Sequence, residues 1–80
     1  GTVNDLGLNV YPNPSNGNFI ISTDVSMTVN VVNTLGQVVT TLSLTGENKN
    51  KVTVSSLPTG IYFITGEAKG LKVNRKIVVE

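Results

Sequence analysis

Met27-Thr28-Val29-Asn30-Val31-Val32-Asn33-Thr34-Leu35-Gly36-Gln37-Val38-Val39-Thr40-Thr41-Leu42-Ser43-Leu44 decides the fold. Met27, Val29 and Val31 alternate with Thr28 and Asn30, the period-2 pattern of a strand with one buried face. Val38, Thr40, Leu42 and Leu44 repeat the alternation on the way back. Between them, Asn33-Thr34-Leu35-Gly36-Gln37 predicts a hairpin loop of three to five residues with Gly36 in the left-handed conformation.

The same grammar extends in both directions. Upstream, residues 6–11 place Leu6, Leu8 and Val10 on one face until Pro12 ends the strand. Two prolines, two asparagines and a glycine then fill residues 12–17, where proline fixes φ and Asn16-Gly17 admits φ above zero, so a rigid turn is expected. Phe19 and Ile21 point inward from a short strand over residues 19–22. Downstream, residues 45–50 are a polar connection, Val52 and Val54 mark a short strand, and Pro58 and Gly60 force a turn. Residues 61–64 are apolar on both faces, which suits a central strand covered by the other sheet on one side and by loops or side chains on the other. Residues 67–70 make the last hairpin. Leu71, Val73, Ile77 and Val79 then share a face on which Arg75 is the exception, either at a bulge or snorkelling at the sheet rim.

Seven short strands beginning about 8 to 14 residues apart leave no gap for a crossover helix. The fold class is therefore all-β: a two-sheet antiparallel sandwich with Greek-key connections, an open barrel of six or seven strands being the alternative. Residues 1–80 form one domain, with residues 1–5 expected to be a linker remnant. Val, Ile, Leu and Phe supply 27 of the 80 residues, well above the roughly 20% floor below which disorder sets in. Valine and threonine alone supply 23, against one alanine, one glutamine and one methionine, a balance that favours pleated strands.

The formal charge of +1 creates no field that would gather nucleic acid or anionic lipid. Without cysteine or histidine, the chain lacks the usual thiol nucleophile, the commonest acid–base group and most soft-metal ligands. Asp5, Asp24, Glu47, Glu67 and Glu80 fall in expected turns or at the termini, and a domain this small has little room for a substrate cleft. Asp5 and Asp24 are the weak candidates for calcium, but nothing around them matches an EF-hand loop. Leu57-Pro58-Thr59-Gly60 lacks the residue between proline and threonine that a Gram-positive cell-wall sorting motif requires, and an apolar strand follows it. Polar faces rich in Thr, Ser and Asn suit sugars, yet Tyr11 and Tyr62 are the only tyrosines and tryptophan is absent. Lys49, Lys51, Lys69, Lys72, Arg75 and Lys76 make the C-terminal third basic. Lys72 and Lys76 are read as protection of an edge strand, with recognition by a receptor as the second reading. No run of 18 apolar residues and no basic-then-apolar leader occurs. If the chain is exported, its address lies elsewhere in a longer parent or is this domain itself.

Four pieces occur in order: Val10-Tyr11-Pro12-Asn13-Pro14-Ser15-Asn16-Gly17, residues 29–39, Leu57-Pro58-Thr59-Gly60-Ile61-Tyr62-Phe63-Ile64, and Lys76-Ile77-Val78-Val79-Glu80. Together they closely resemble the type A C-terminal sorting domain of the Bacteroidetes type IX (Por) secretion system, over residues 8–80. The resemblance implies a small immunoglobulin-like β-sandwich that directs a parent cargo protein across the periplasm and through the outer-membrane translocon to the cell surface or the medium. A shuttle protein would receive it, and a cell-surface C-terminal signal peptidase would usually remove it, often joining the cargo to lipopolysaccharide. By position, Pro12, Asn13, Pro14 and Gly17 match the family's first motif, and Asn33, Gly36, Gln37 and Val38 its second. Leu57, Gly60 and Tyr62 match the third; Lys76, Ile77 and Val78 match the last, with Glu80 as its expected C-terminus. The implied domain is an address and not an enzyme. It is monomeric and uses no cofactor or metal, with no nucleic-acid partner and no direct membrane insertion. The alternative is a non-catalytic accessory module, carbohydrate-binding or spacer, of an extracellular protein.

Overall fold

The computed structural model describes residues 6–80. The element order is β1 (Asn9–Tyr11), β2 (Phe19–Ser22), β3 (Met27–Asn33), β4 (Val38–Leu44), a 3-10 turn (Gly46–Asn48), β5 (Lys51–Val54), β6 (Gly60–Ala68) and β7 (Leu71–Val79). They form two antiparallel sheets, ordered β1-β2-β5 and β4-β3-β6-β7. The chain changes sheets between β2 and β3, between β4 and β5, and again between β5 and β6. This is the Greek-key wiring of an immunoglobulin-like sandwich, and the two separate sheets dispose of the open-barrel alternative.

Side-chain alternation explains why these sheets face each other. Phe19 and Ile21 from one sheet meet Val29, Val31, Leu44, Ile64 and Ile77 from the other, all almost wholly buried. The chain exposes 4764 Å², close to the roughly 4,700 Å² that surface scaling gives for its mass. The core is thin, so the loops must satisfy their own polar groups without exception.

The β3–β4 connection does so through one residue. The Asn33 Oδ1 accepts from the Leu35 and Gln37 amides at 2.9 and 3.0 Å, and its Nδ2 donates to the Gln37 Oε1 at 3.0 Å. The Gly36 amide closes the turn on the Asn33 carbonyl at 3.0 Å. Gly36 itself has φ +84° with no atom within 4 Å of where a Cβ would stand. Only the backbone conformation demands glycine there.

Several local expectations shift. The first strand is shorter than residues 6–11, because Leu6 and Gly7 adopt positive φ in a turn; Leu6 and Leu8 are buried all the same. Val38 does not share a face with Thr40, Leu42 and Leu44. A bulge leaves Val39 unmatched, pairing Val32 with Val38 and Val31 with Thr40, and turns Val38 outward. Glu67 and Ala68 lie inside β6, so the last hairpin is the tighter Lys69-Gly70 turn. The β6–β7 register runs unbroken past Arg75; its guanidinium reaches the Leu8 carbonyl at 3.2 Å, so the residue snorkels and marks no bulge. The expectations for residues 1–5, Asp5 among them, lie outside the described residues.

Because Gly36 has open space but an unfavourable φ, Gly36→Val should destabilise the chain by about 1–3 kcal/mol. Gly36→Asn, which tolerates the left-handed region, should cost under about 1 kcal/mol. Urea unfolding of the two variants checks this, and equal midpoints would show that the turn does not depend on backbone conformation.

Candidate functional site

The four sequence pieces that are far apart in the chain meet at one end of the sandwich. Asn33, at the end of β3, pairs with Tyr62 on β6, and Tyr62 pairs with Ile77 on β7. Gly60 stands opposite Val79. The proline-rich loop of residues 12–17, with cis peptide bonds before Pro12 and Pro14, lies along the outer edge of β7.

That contact is built from main-chain chemistry. The Asn13 side chain acts as a strand residue would: its Nδ2 donates to the Lys76 carbonyl at 3.0 Å, and its Oδ1 accepts from the Val78 amide at 3.2 Å. Next, the Ser15 amide donates to the Val78 carbonyl and the Glu80 amide to the Ser15 carbonyl, both at 2.8 Å, in a parallel bridge between Ser15 and Val79. Prolines at positions 12 and 14 have no N–H to offer, so the two donors this loop presents to β7 come from the Asn13 side chain and the Ser15 main chain. The Ser15 Oγ accepts from the Gly17 amide at 3.2 Å, and the Gly17 carbonyl accepts from the Leu57 amide at 3.3 Å. Gly17 is buried at φ +109°, which only glycine adopts without strain.

The third piece is a corner. The Tyr62 hydroxyl donates to the Pro58 carbonyl at 2.8 Å, the device that fixes the entry to this strand in many immunoglobulin-like domains. Leu57 packs on the core beside it, and Ile77 is wholly buried. Residues 57–60 are thus a turn leading into β6. Of the expected site residues, Pro12, Asn13, Pro14, Lys76 and Glu80 are exposed and form the visible surface of this end; Asn33 and Gln37 border it at the β3–β4 hairpin.

Two features escaped the sequence reading. Ser15 is buried although a serine between Pro14 and Asn16 has the look of an ordinary turn residue. The outer face of the four-stranded sheet is the second. Ile61 is 40% exposed, and Phe63 is only half-buried, so among the described residues no loop covers the second apolar face of β6. Val38, Val32 and Phe63 stand side by side across three strands, with Ile61 and Val78 paired next to them. The signal lies in the doublets Val31-Val32 and Val78-Val79, which supply both faces, and in Val38-Val39, both of which are exposed.

Further along the same face lies an open polar groove lined by Thr28, Asn30, Thr65, Glu67, Lys72 and Asn74. No aromatic ring lines it. Asp24, Glu47, Glu67 and Glu80 are all exposed, and among the described residues no cluster of carboxylates is placed to hold a metal ion.

Asn13→Ala removes both side-chain bonds to β7 and should cost about 1–3 kcal/mol. Amide exchange at Val78 should accelerate by about tenfold or more relative to Ile64 in the centre of the sheet. An unchanged Val78 rate would show that Asn13 does not hold this edge.

The family model of the secretion system C-terminal sorting domain matches residues 9–80. That match begins at the first residue of β1, takes in all seven strands and contains all four pieces gathered at this end of the sandwich. A comparison with curated proteins finds no match. The chain belongs to the C-terminal sorting domain family of the type IX secretion system.

Proposed function

We propose that this chain directs a parent cargo protein from the periplasm through the type IX outer-membrane translocon, by way of a shuttle protein. A cell-surface C-terminal signal peptidase then removes it, leaving the cargo at the surface or in the medium. The observation that carries this reading is the gathering of residues 12–17, 33–38, 57–62 and 76–80 at one end of a rigid sandwich. Shape residues fix that end, and exposed ones clothe it. A receptor therefore meets a preformed surface and has no loop-ordering entropy to overcome.

Within this reading, residues 1–80 are one sorting domain whose residues 1–5 are a linker remnant, and it acts as a monomer. The domain catalyses nothing itself and needs no cofactor; its partners are the secretion machinery, with no nucleic acid and no direct insertion into lipid. An accessory carbohydrate-binding role would use the polar groove, where the lack of an aromatic platform makes sugar stacking unavailable.

The test fuses residues 1–80 behind a periplasmic reporter in a bacterium with type IX machinery. The reporter should appear outside the cell or on its surface, and deletion of residues 76–80 should retain it in the periplasm. Since that deletion also removes the buried Ile77 and Val79, the double variant Lys76→Ala, Glu80→Ala separates recognition from folding. Both side chains are exposed, so the melt should shift by no more than about 0.5 kcal/mol of stability, while export falls. Complete retention of the reporter bearing the intact domain, or efficient export of the reporter alone, contradicts the assignment.

A further inference from the structure

The sandwich has four strand edges, and they are not treated alike. β1 is three residues long and runs straight into Pro12, while the carbonyl of Leu8 just before it is held by Arg75. β5 has four residues and begins with an exposed lysine, Lys51. β7 is nine residues long, but the loop of residues 13–15 occupies its outward groups from Lys76 to Glu80, and Lys72 and Lys76 flank the remainder. Short strands, prolines, charges and covering loops are the usual means of keeping an edge closed.

Among the described residues, β4 has none of these along its middle. It is seven residues long and lies within a stretch, residues 25–46, that holds no charged residue. The Asn48 side-chain Nδ2 donates to the Ser43 carbonyl at 2.9 Å, which shows that the main chain of Ser43 is directed away from β3. Strand alternation then directs the N–H and C=O of Thr41 the same way. The bulge at Val39 and the Asn48 bond bound this window on either side. Next to it Leu35, Val38 and Val39 are 81%, 57% and 42% exposed, and the apolar strip of Val38, Val32 and Phe63 runs inward from it across the sheet.

The outward N–H and C=O of Thr41 specify the occupant: an extended polypeptide. The absence of charge on the hairpin, and the exposed valines beside the window, specify an uncharged, apolar one. We propose that β4 is the strand to which a component of the export machinery adds an extended, uncharged segment, pairing with the Thr41 main chain and laying apolar side chains over Val38 and Val39. This rests on the sorting reading above and names the surface and the mode of recognition.

The reporter fusion tests it with Thr41→Pro, which removes the outward N–H, and Thr41→Lys, which keeps the backbone and sets a charge beside the window. Asn74→Lys places the same charge on the same sheet face but at β7. Thr41→Pro should lower export about fivefold or more and Thr41→Lys by about threefold, with melts close to wild type and Asn74→Lys exported normally. If Thr41→Pro does not fold, Thr41→Lys decides. Normal export of the folded Thr41 variants overturns the proposal, as does an equal loss with Asn74→Lys. Sedimentation velocity of the domain covers a second copy as occupant: a concentration-dependent dimer that Thr41→Pro abolishes without loss of export gives the edge to self-pairing and overturns the proposal. Failure of the unsubstituted domain to export the reporter sinks the sorting reading itself, which export by wild type and variants alike does not.

Discussion

The end of the sandwich at which the four motif pieces meet is held together by the loop of residues 13–15 lying along β7. Four hydrogen bonds between 2.8 and 3.2 Å join them, and they tie the β1–β2 connection of one sheet to the edge strand of the other. Without this contact the carbonyls of Lys76 and Val78 would form an open edge, and the main chain of the buried Ser15 would lose its partners on β7. The contact thus closes the sandwich and fixes the strand that carries Lys76 and Glu80.

The remaining motif residues support the same end from other directions. Asn33 organises the β3–β4 turn with three bonds from one side chain, while Tyr62 ties the start of β6 to Pro58. Ile77 lies in the core opposite Tyr62. Most of these motif residues fix shape, through proline, glycine and hydrogen bonds to the main chain; under the proposed function, what a receptor reads is the surface they hold in place.

Much of this architecture was legible because its causes are local. Alternation in residues 27–31 and the demand for a left-handed residue at Gly36 are properties of a few neighbours, and local signals of the same kind along the whole chain set strand count and fold class. Val38 was misplaced because a bulge at Val39 breaks the period-2 count, and bulges leave little trace in composition. The two-faced run Ile61–Ile64 was read correctly as an interior strand, but burial of its outer face was not delivered by any loop. Asn13 was singled out only by resemblance, since its partners lie 63 and 65 positions away and no local rule connects them. Ser15 went unnoticed for the same reason.

The central claim is that the proline-rich loop pairs with β7 as though it were a strand. Scalar couplings across hydrogen bonds in a long-range HNCO experiment on the isotopically labelled chain test it most directly, since they require the donor and acceptor to share a bond. The account predicts cross-peaks from the Ser15 amide to the Val78 carbonyl and from the Glu80 amide to the Ser15 carbonyl, as strong as those between β6 and β7. Absence of both, with the Ser15 amide exchanging as fast as that of an exposed turn residue such as Asn16, would contradict it.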